Sequence, residues 1–286
     1  MIQKKMKNGA WPVHAGSRHR RKERKVIDDG CHSELVENAV FDGILEIPCI
    51  PPQKEMVIPR ALIPFSQRNR SRDFSEYLVF YEKDVNFADF LRDPAAFADD
   101  LLRFPGMISP DCSLYRDMPL CLQVVNTYWN RAVGHFFRKL GMDVIPNVRW
   151  GDERSFAADT LPEKFAFLGV PKNSIVAVGT YGCIRSRENK DWFRAGLAAM
   201  LETLTPRIVL VYGAMPESVF GPFAGSARFI RYPDWIRSRK GGALIWAQEN
   251  RAGIPAPAAA GLRHTVPDGK KDAPSAVPLS STPIPG

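Results

Sequence analysis

Two short apolar runs in this chain stop abruptly in side chains that do chemistry. Gly106 to Ile108 gives way to Asp111, Ser113 and Asp117, and Val144 to Pro146 gives way to Asn147, Arg149, Trp150, Asp152, Glu153 and Arg154. A buried strand that delivers polar groups to a site has this appearance. Asp111 suits a general acid, a general base or a metal ligand, with Asp152 or Glu153 as a further carboxylate. Arg149 suits a bidentate clamp on phosphate or carboxylate. Ser113, Asp117, Asn126 and Asn147 offer hydrogen bonds to a ligand, and Trp150 or Tyr181 offers a face on which a base or sugar stacks. A third run, Ser174 to Val178, ends in Gly179-Thr-Tyr-Gly182. Thr180 and Gly182 there resemble a phosphate-cradling turn, although neither the Walker pattern nor GxGxxG is met.

Each of these residues also has a structural reading. Asp117 stands just before Met118-Pro119 and a long helical pattern, where a carboxylate caps the first turn. Asp152 to Arg154 reads equally as a solvated turn with local ion pairs, and Arg149 as the partner of Asp111 across neighbouring strands. Gln123, Asn126, Asn130 and Gly134 share one helix face, an amide stripe that is polar surface, pocket lining or a partner contact. His135, among Val133, Phe136 and Phe137, reads as a packed histidine. Cys31, Cys49, Cys112, Cys121 and Cys183 are an odd set without a CxxC pair. That argues against a zinc ribbon, an iron–sulfur motif or a disulfide framework, and for reduced thiols in a cytoplasmic setting. Cys112 and Cys183 fall in the site region, where a small buried hydrophobe is the commoner use of the residue.

The elements that must position these groups alternate along the chain. A strand at 77–81 precedes Phe87, Phe90, Leu91, Phe97, Leu101 and Leu102 at helical spacing, and Met107-Ile108 leads to a helix over 119–140 closed by Gly141. Strands at 144–150 and 174–178 follow, then a helix over 188–203 and strands at 207–212 and 228–232. Continuous apolar runs separated by helices predict an α/β domain with a mostly parallel sheet, as a doubly wound sheet or a partial TIM-like barrel. Both place ligands at the carboxyl ends of the strands. The domain runs over 51–235. Residues 1–50 read as a basic, largely irregular arm with one short strand at 43–47, and residues 236–286 as a Pro/Ala-rich disordered tail.

With 286 residues, 45% of them hydrophobic, the chain can build one sizeable core. Much of its net charge of +8 sits in Arg18 to Lys25, a run without apolar periodicity that suits a nucleic-acid backbone. The first residues lack the apolar core of a signal peptide, and no run approaches about 18 apolar residues, so no membrane partner is expected.

The segments Ile63-Pro-Phe65, Ile108 to Pro119, Gln123 with Asn126, Asn130-Arg131, Ile145 to Glu153, Val178 to Cys183 and Val211-Tyr-Gly213 together resemble a bacterial, archaeal and phage family called domain of unknown function 4417. The resemblance implies an α/β domain often carried by phages and other mobile elements, and it supplies no activity or cofactor. Two functional readings follow. One is an enzyme acting on a phosphate-bearing or nucleotide-like ligand, with Asp111 as acid or base, Arg149 as anion clamp, Asn147 and Thr180 as orienting donors and Asp152 or Glu153 as a metal ligand. The alternative is a non-enzymatic nucleic-acid-binding accessory protein of a phage or plasmid, in which the basic arm gives affinity and the amides or aromatics give contacts.

Overall fold

Seven strands neighbour one another in space in the order in which they occur in the chain: β3 (Ala61–Pro64), β4 (Tyr77–Val79), β5 (Gly106–Ile108), β6 (Asp143–Ile145), β7 (Ile175–Gly179), β8 (Ile208–Tyr212) and β9 (Arg228–Tyr232). This computed structural model describes residues 32–235 and two short backbone segments, Ile245–Trp246 and Gln248–Glu249. Each of the seven strands pairs parallel with the next. The β6–β7 seam is made just past β6, where Val148 N–H donates to the Ala177 carbonyl and Ala177 N–H to the Pro146 carbonyl, both at 2.8 Å.

A parallel sheet wound in one direction carries all its right-handed crossovers on one face, so its other face is covered only if the sheet curls onto itself. That inner face is one cluster, to which Leu62, Val79, Ile108, Ile145, Ala177, Leu210 and Ile230 bring at least one residue from every strand. The two edges are taken by one stretch of chain: β10 (Ile245–Trp246) pairs antiparallel with β3, and β11 (Gln248–Glu249) antiparallel with β9. Across the same seam the buried Tyr232 hydroxyl donates to the Pro59 carbonyl. The fold is therefore the barrel of the two architectures expected, and the one-directional strand order excludes a doubly wound sheet. Strands β10 and β11 fall inside the segment expected to be a disordered tail. Two-residue strands pair through backbone groups alone, so they leave no side-chain pattern to read. The rest of that expected tail, and the basic run Arg18 to Lys25, lie outside the described residues.

Helices cover the outside. Helix α3 (Leu120–Lys139) buries Ala132, Val133 and Phe137 with Met107 and Val144, and it ends in a Schellman motif at Gly141 (φ 93°). Gly141 N–H donates to the Arg138 carbonyl and Met142 N–H to the Phe137 carbonyl, both at 3.1 Å. Helix α5 (Arg187–Leu204) starts at Ser186, whose hydroxyl accepts from Asn189 N–H at 3.1 Å, and packs Leu197, Met200 and Leu201 on the outward Val176, Val178, Val209 and Val211. The helix expected through 87–102 is broken into α1 (Ala88–Arg92) and α2 (Ala98–Leu101) by a 3-10 turn at Pro94. Proline disfavours helical backbone at the residue before it, and Asp93 caps the new turn instead. Helices α4 (Glu153–Phe156) and α6 (Glu217–Phe220) are single turns.

The described part of the N-terminal arm, from His32 onward, packs on the outer core. Leu35 and Ile50 are buried against the outer core, and Gly134 on α3 makes room, since a Cβ there would lie 2.4 Å from Ile50 Cδ1. Residues 43–46 form a turn rather than the expected strand, between the paired β1 (Phe41–Asp42) and β2 (Ile47–Pro48).

Candidate functional site

The carboxyl ends of all seven barrel strands meet around one cavity of about 720 Å³. Pro64 from β3, Tyr81 after β4, Asp111 after β5, Arg149 after β6, Gly179 of β7, Tyr212 of β8 and Trp235 after β9 all line it. A cavity of this size matches a small-molecule ligand.

On its floor lies a buried ion pair. Arg149 Nη1 donates to Asp111 Oδ1 at 3.1 Å and Oδ2 at 2.9 Å, with side-chain exposures of only 17% and 10%. Asn147 Nδ2 donates to the same Oδ1 at 2.9 Å, and Asn147 in turn accepts from the Tyr81 hydroxyl at 3.0 Å. The Tyr81 ring stacks on Tyr212 at 4.5 Å. Burial would lower the Arg149 guanidinium, but Asp111 together with the Cys183, Tyr81 and Tyr115 side chains raises it by more, so the group stays charged. Both oxygens of Asp111 are occupied by protein donors. Among the described residues the second guanidinium nitrogen of Arg149 meets only the Cys183 sulfur, a soft acceptor at 3.8 Å, and so can be offered to a ligand oxygen.

A second carboxylate stands at the wall. Asp84, also in the cavity lining, accepts from the Ser113 hydroxyl at 3.1 Å. Burial and the charge of Asp111 raise its carboxyl above the ordinary range, while the Ser113 hydrogen bond and Arg149 pull the other way. Tyr115, Tyr181, Trp192 and Trp235 supply aromatic faces around it, with Tyr115 and Tyr181 about half exposed.

The strand ends are held from behind by the amide stripe of α3. Asn130 accepts from the Ser109 hydroxyl (3.0 Å) and donates to the Pro110 carbonyl (2.6 Å), and Ser109 accepts from Asn147 N–H (2.8 Å). Asn126 Nδ2 donates to the Ser113 carbonyl at 2.6 Å, and Gln123 Nε2 to the Met118 carbonyl at 3.0 Å. Gln123 and Asn130 are buried, so the stripe is neither a polar surface nor a partner contact; it fixes the 109–118 segment. Arg131 beside it is fully buried, with no carboxylate partner among the described residues. It donates to the Leu168, Asn147 and Ala166 carbonyls and to Asn130, and burial pushes its guanidinium down to about 10.

Of the residues expected to act, Asp111, Ser113, Asp117, Arg149, Trp150 and Gly182 line the cavity. Asn126 and Asn147 stand behind it, as described. Trp150 is largely buried, its indole pressed on Gly196 of α5, where a Cβ would lie 2.2 Å from Nε1. Thr180 is buried and donates to the Tyr212 and Ala214 carbonyls, which makes it a turn residue. Asp152 caps α4 and pairs with Arg154 at 2.6 Å, and Glu153 opens that same helix on the surface; neither lines the cavity. Asp117 does not cap α3, whose N-cap position is Pro119 without a side-chain bond; Asp117 faces solvent at the mouth instead. His135 is packed, its ring nitrogens against the Cys49 and Glu37 carbonyls. Tyr81, Asp84, Trp192 and Trp235 were not singled out from the sequence. The signal for Asp84 was its place just beyond the 77–81 strand, where polar residues read as an ordinary loop. Among the described residues no group of three His, Cys, Asp or Glu side chains is placed to hold a metal ion, and no helix is long and apolar enough to cross a membrane.

Two phage proteins are similar to this chain. The chain is 29% identical over 174 residues to the Gene 1 protein of Mycobacterium phage D29, covering 60% of this chain and 61% of that one. It is 29% identical over 150 residues to the Gene 1 protein of Mycobacterium phage L5, covering 51% and 62% respectively. The chain thus spans about three-fifths of the length of these relatives. No solved structure matches it. The family model described as Domain of unknown function (DUF4417) matches residues 39–233, which takes in the β1–β2 pair, the barrel strands β3 to β9 and every residue of the cavity floor, and the chain belongs to that family.

Proposed function

We propose that the barrel mouth is the active site of an enzyme acting on a nucleotide-like ring ligand. One observation carries the reading: a cavity of about 720 Å³ at the carboxyl ends of a closed parallel barrel holds a buried arginine–aspartate pair beside a second carboxyl of raised affinity for protons. Parallel barrels place their chemistry at this end, which supports the location by analogy and says nothing of the reaction. Aromatic faces at Tyr115, Tyr181, Trp192 and Trp235 suit a stacked ring. Arg149 offers its remaining donors to a ligand oxygen and Asp111 positions it. Asp84 is the proton donor or acceptor, since a carboxyl raised above its ordinary range by burial holds a proton more readily than a free one.

The test is incubation of the full chain with a panel of nucleosides and nucleotides, with products followed by chromatography. Asp84→Asn should lower turnover by about 10²–10⁴-fold while leaving ligand binding within a few-fold of wild type. Equal turnover in the variant would remove Asp84 from the chemistry, and a panel that neither binds nor turns over would remove the enzyme reading altogether.

A further inference from the structure

We propose that residues 115–117 are a strap across the cavity mouth and that Arg116 is its clasp: entry to the cavity is gated by release of Arg116 from helix α5. The strap regulates the ligand site proposed above and rests on that reading for its use. The segment after β5 is pinned at two points. The Ser113 carbonyl accepts from Asn126 Nδ2 at 2.6 Å, and Ser113 and Leu114 are buried. The Met118 carbonyl accepts from Gln123 Nε2 at 3.0 Å and from Arg154 Nη2 at 3.3 Å, and Met118 N–H donates to the Tyr115 carbonyl at 3.1 Å. Between the pins Tyr115, Arg116 and Asp117 are exposed and line the cavity. A short exposed tip between firm anchors belongs to the low-stability end of a fold, where opening does not disturb the core.

This tip reaches α5 through one side chain. Arg116 Nη2 donates to Glu188 Oε1 at 2.7 Å and Nη1 to Asn189 Oδ1 at 3.3 Å, and the guanidinium carbon stands 4.9 Å from the centre of the Trp192 ring. Positions 188, 189 and 192 share one face of the helix, and Asn189 and Trp192 line the cavity as well. The bridge therefore spans the rim from the β5 side to the α5 side. Helix α5 is the fixed jaw, packed on the barrel through Leu197 and Met200. Among the described residues no other strap side chain bonds to α5. The Arg116 and Glu188 side chains are 40% and 67% exposed, so the clasp is weak, screened by salt and reversible, as a gate requires. Closing such a strap holds a ligand away from water, and opening it releases the product.

The experiment needs no ligand. Cys183 lines the cavity, its sulfur 3.8 Å from Arg149, and reports access; the exposed Cys121 is the reference. Full-length wild type, Arg116→Ala and Glu188→Gln are treated with the neutral alkylating reagent iodoacetamide at low and high salt, each thiol being read by peptide mass spectrometry. Backbone hydrogen exchange is followed over 113–118 in the same proteins. At low salt both variants should alkylate Cys183 and exchange the strap amides about two- to fivefold faster than wild type, with Cys121 unchanged, and high salt should bring the wild type up to them. Strap exchange that is equal in all three proteins overturns the clasp. Faster strap exchange with Cys183 alkylation unchanged overturns the gate. Either failure leaves the ligand-site reading standing, which falls only if the nucleoside and nucleotide panel neither binds nor turns over.

Discussion

Asp111 and Arg149 are each costly to bury and are kept in balance by the other. Removing one partner strands a charge in a site that is less than one-fifth exposed. Asp111→Ala and Arg149→Ala should each destabilise by about 3–5 kcal/mol, and the double variant by clearly less than the sum. Urea denaturation of the four proteins decides it; additive losses would mean that the pair is not coupled. Asp84 predicts a pH dependence. Its folded carboxyl is raised above the ordinary 3.8, so the stability it contributes is present below that value and lost as pH rises through the folded one. Asp84→Asn should therefore be more stable than wild type near neutral pH, with the advantage vanishing below about pH 3.8 in thermal melts. An advantage independent of pH would refute the assignment. At this scale the sequence was partly readable. The Asp111–Arg149 pair follows from two polar residues just past adjacent strands, whereas the asparagine and arginine side chains behind it depend on which face of α3 is buried, and a stripe of amides looks alike in either case.

Helix α5 and the loop before it set the cavity wall through one close contact. Gly196 lets the Trp150 indole lie against the helix, and a methyl group there would sit 2.2 Å from Nε1. Gly196→Ala should cost about 1–3 kcal/mol by overpacking and shift Trp150, seen as a changed near-ultraviolet circular dichroism band alongside the melt. An unchanged band with wild-type stability would show that the contact is loose. Long periodic elements were legible: the helix over 119–140 and its Gly141 terminus, and the strands around 77, 107, 144, 175, 208 and 228, all appear in the fold. Short ones were not. The break at Pro94 and the 43–46 turn are decided by one or two residues, below the length at which hydrophobic periodicity separates helix, strand and turn.

Barrel closure belongs to the whole molecule, and it was the least legible feature, because strand order is a property of pairing between distant segments. The side-chain part of the seam is the bond from Tyr232 to the Pro59 carbonyl, which joins β9 to the approach of β3. Tyr232→Phe should destabilise by about 1–3 kcal/mol, since it leaves a buried carbonyl unsatisfied. A loss near zero in the same urea assay would place the closure in the backbone pairing of β10 and β11 alone. The central claim is that this closed barrel holds a ring ligand at its mouth. The measurement that tests it most directly is a thermal-shift panel of nucleosides, nucleotides and free bases on the wild type and on the Tyr181→Ala/Trp192→Ala double variant. A ligand at a hundred times its dissociation constant should stabilise the wild type by about 2.7 kcal/mol and leave the double variant unshifted. A panel without any shift, or a shift that survives loss of both rings, would contradict the account.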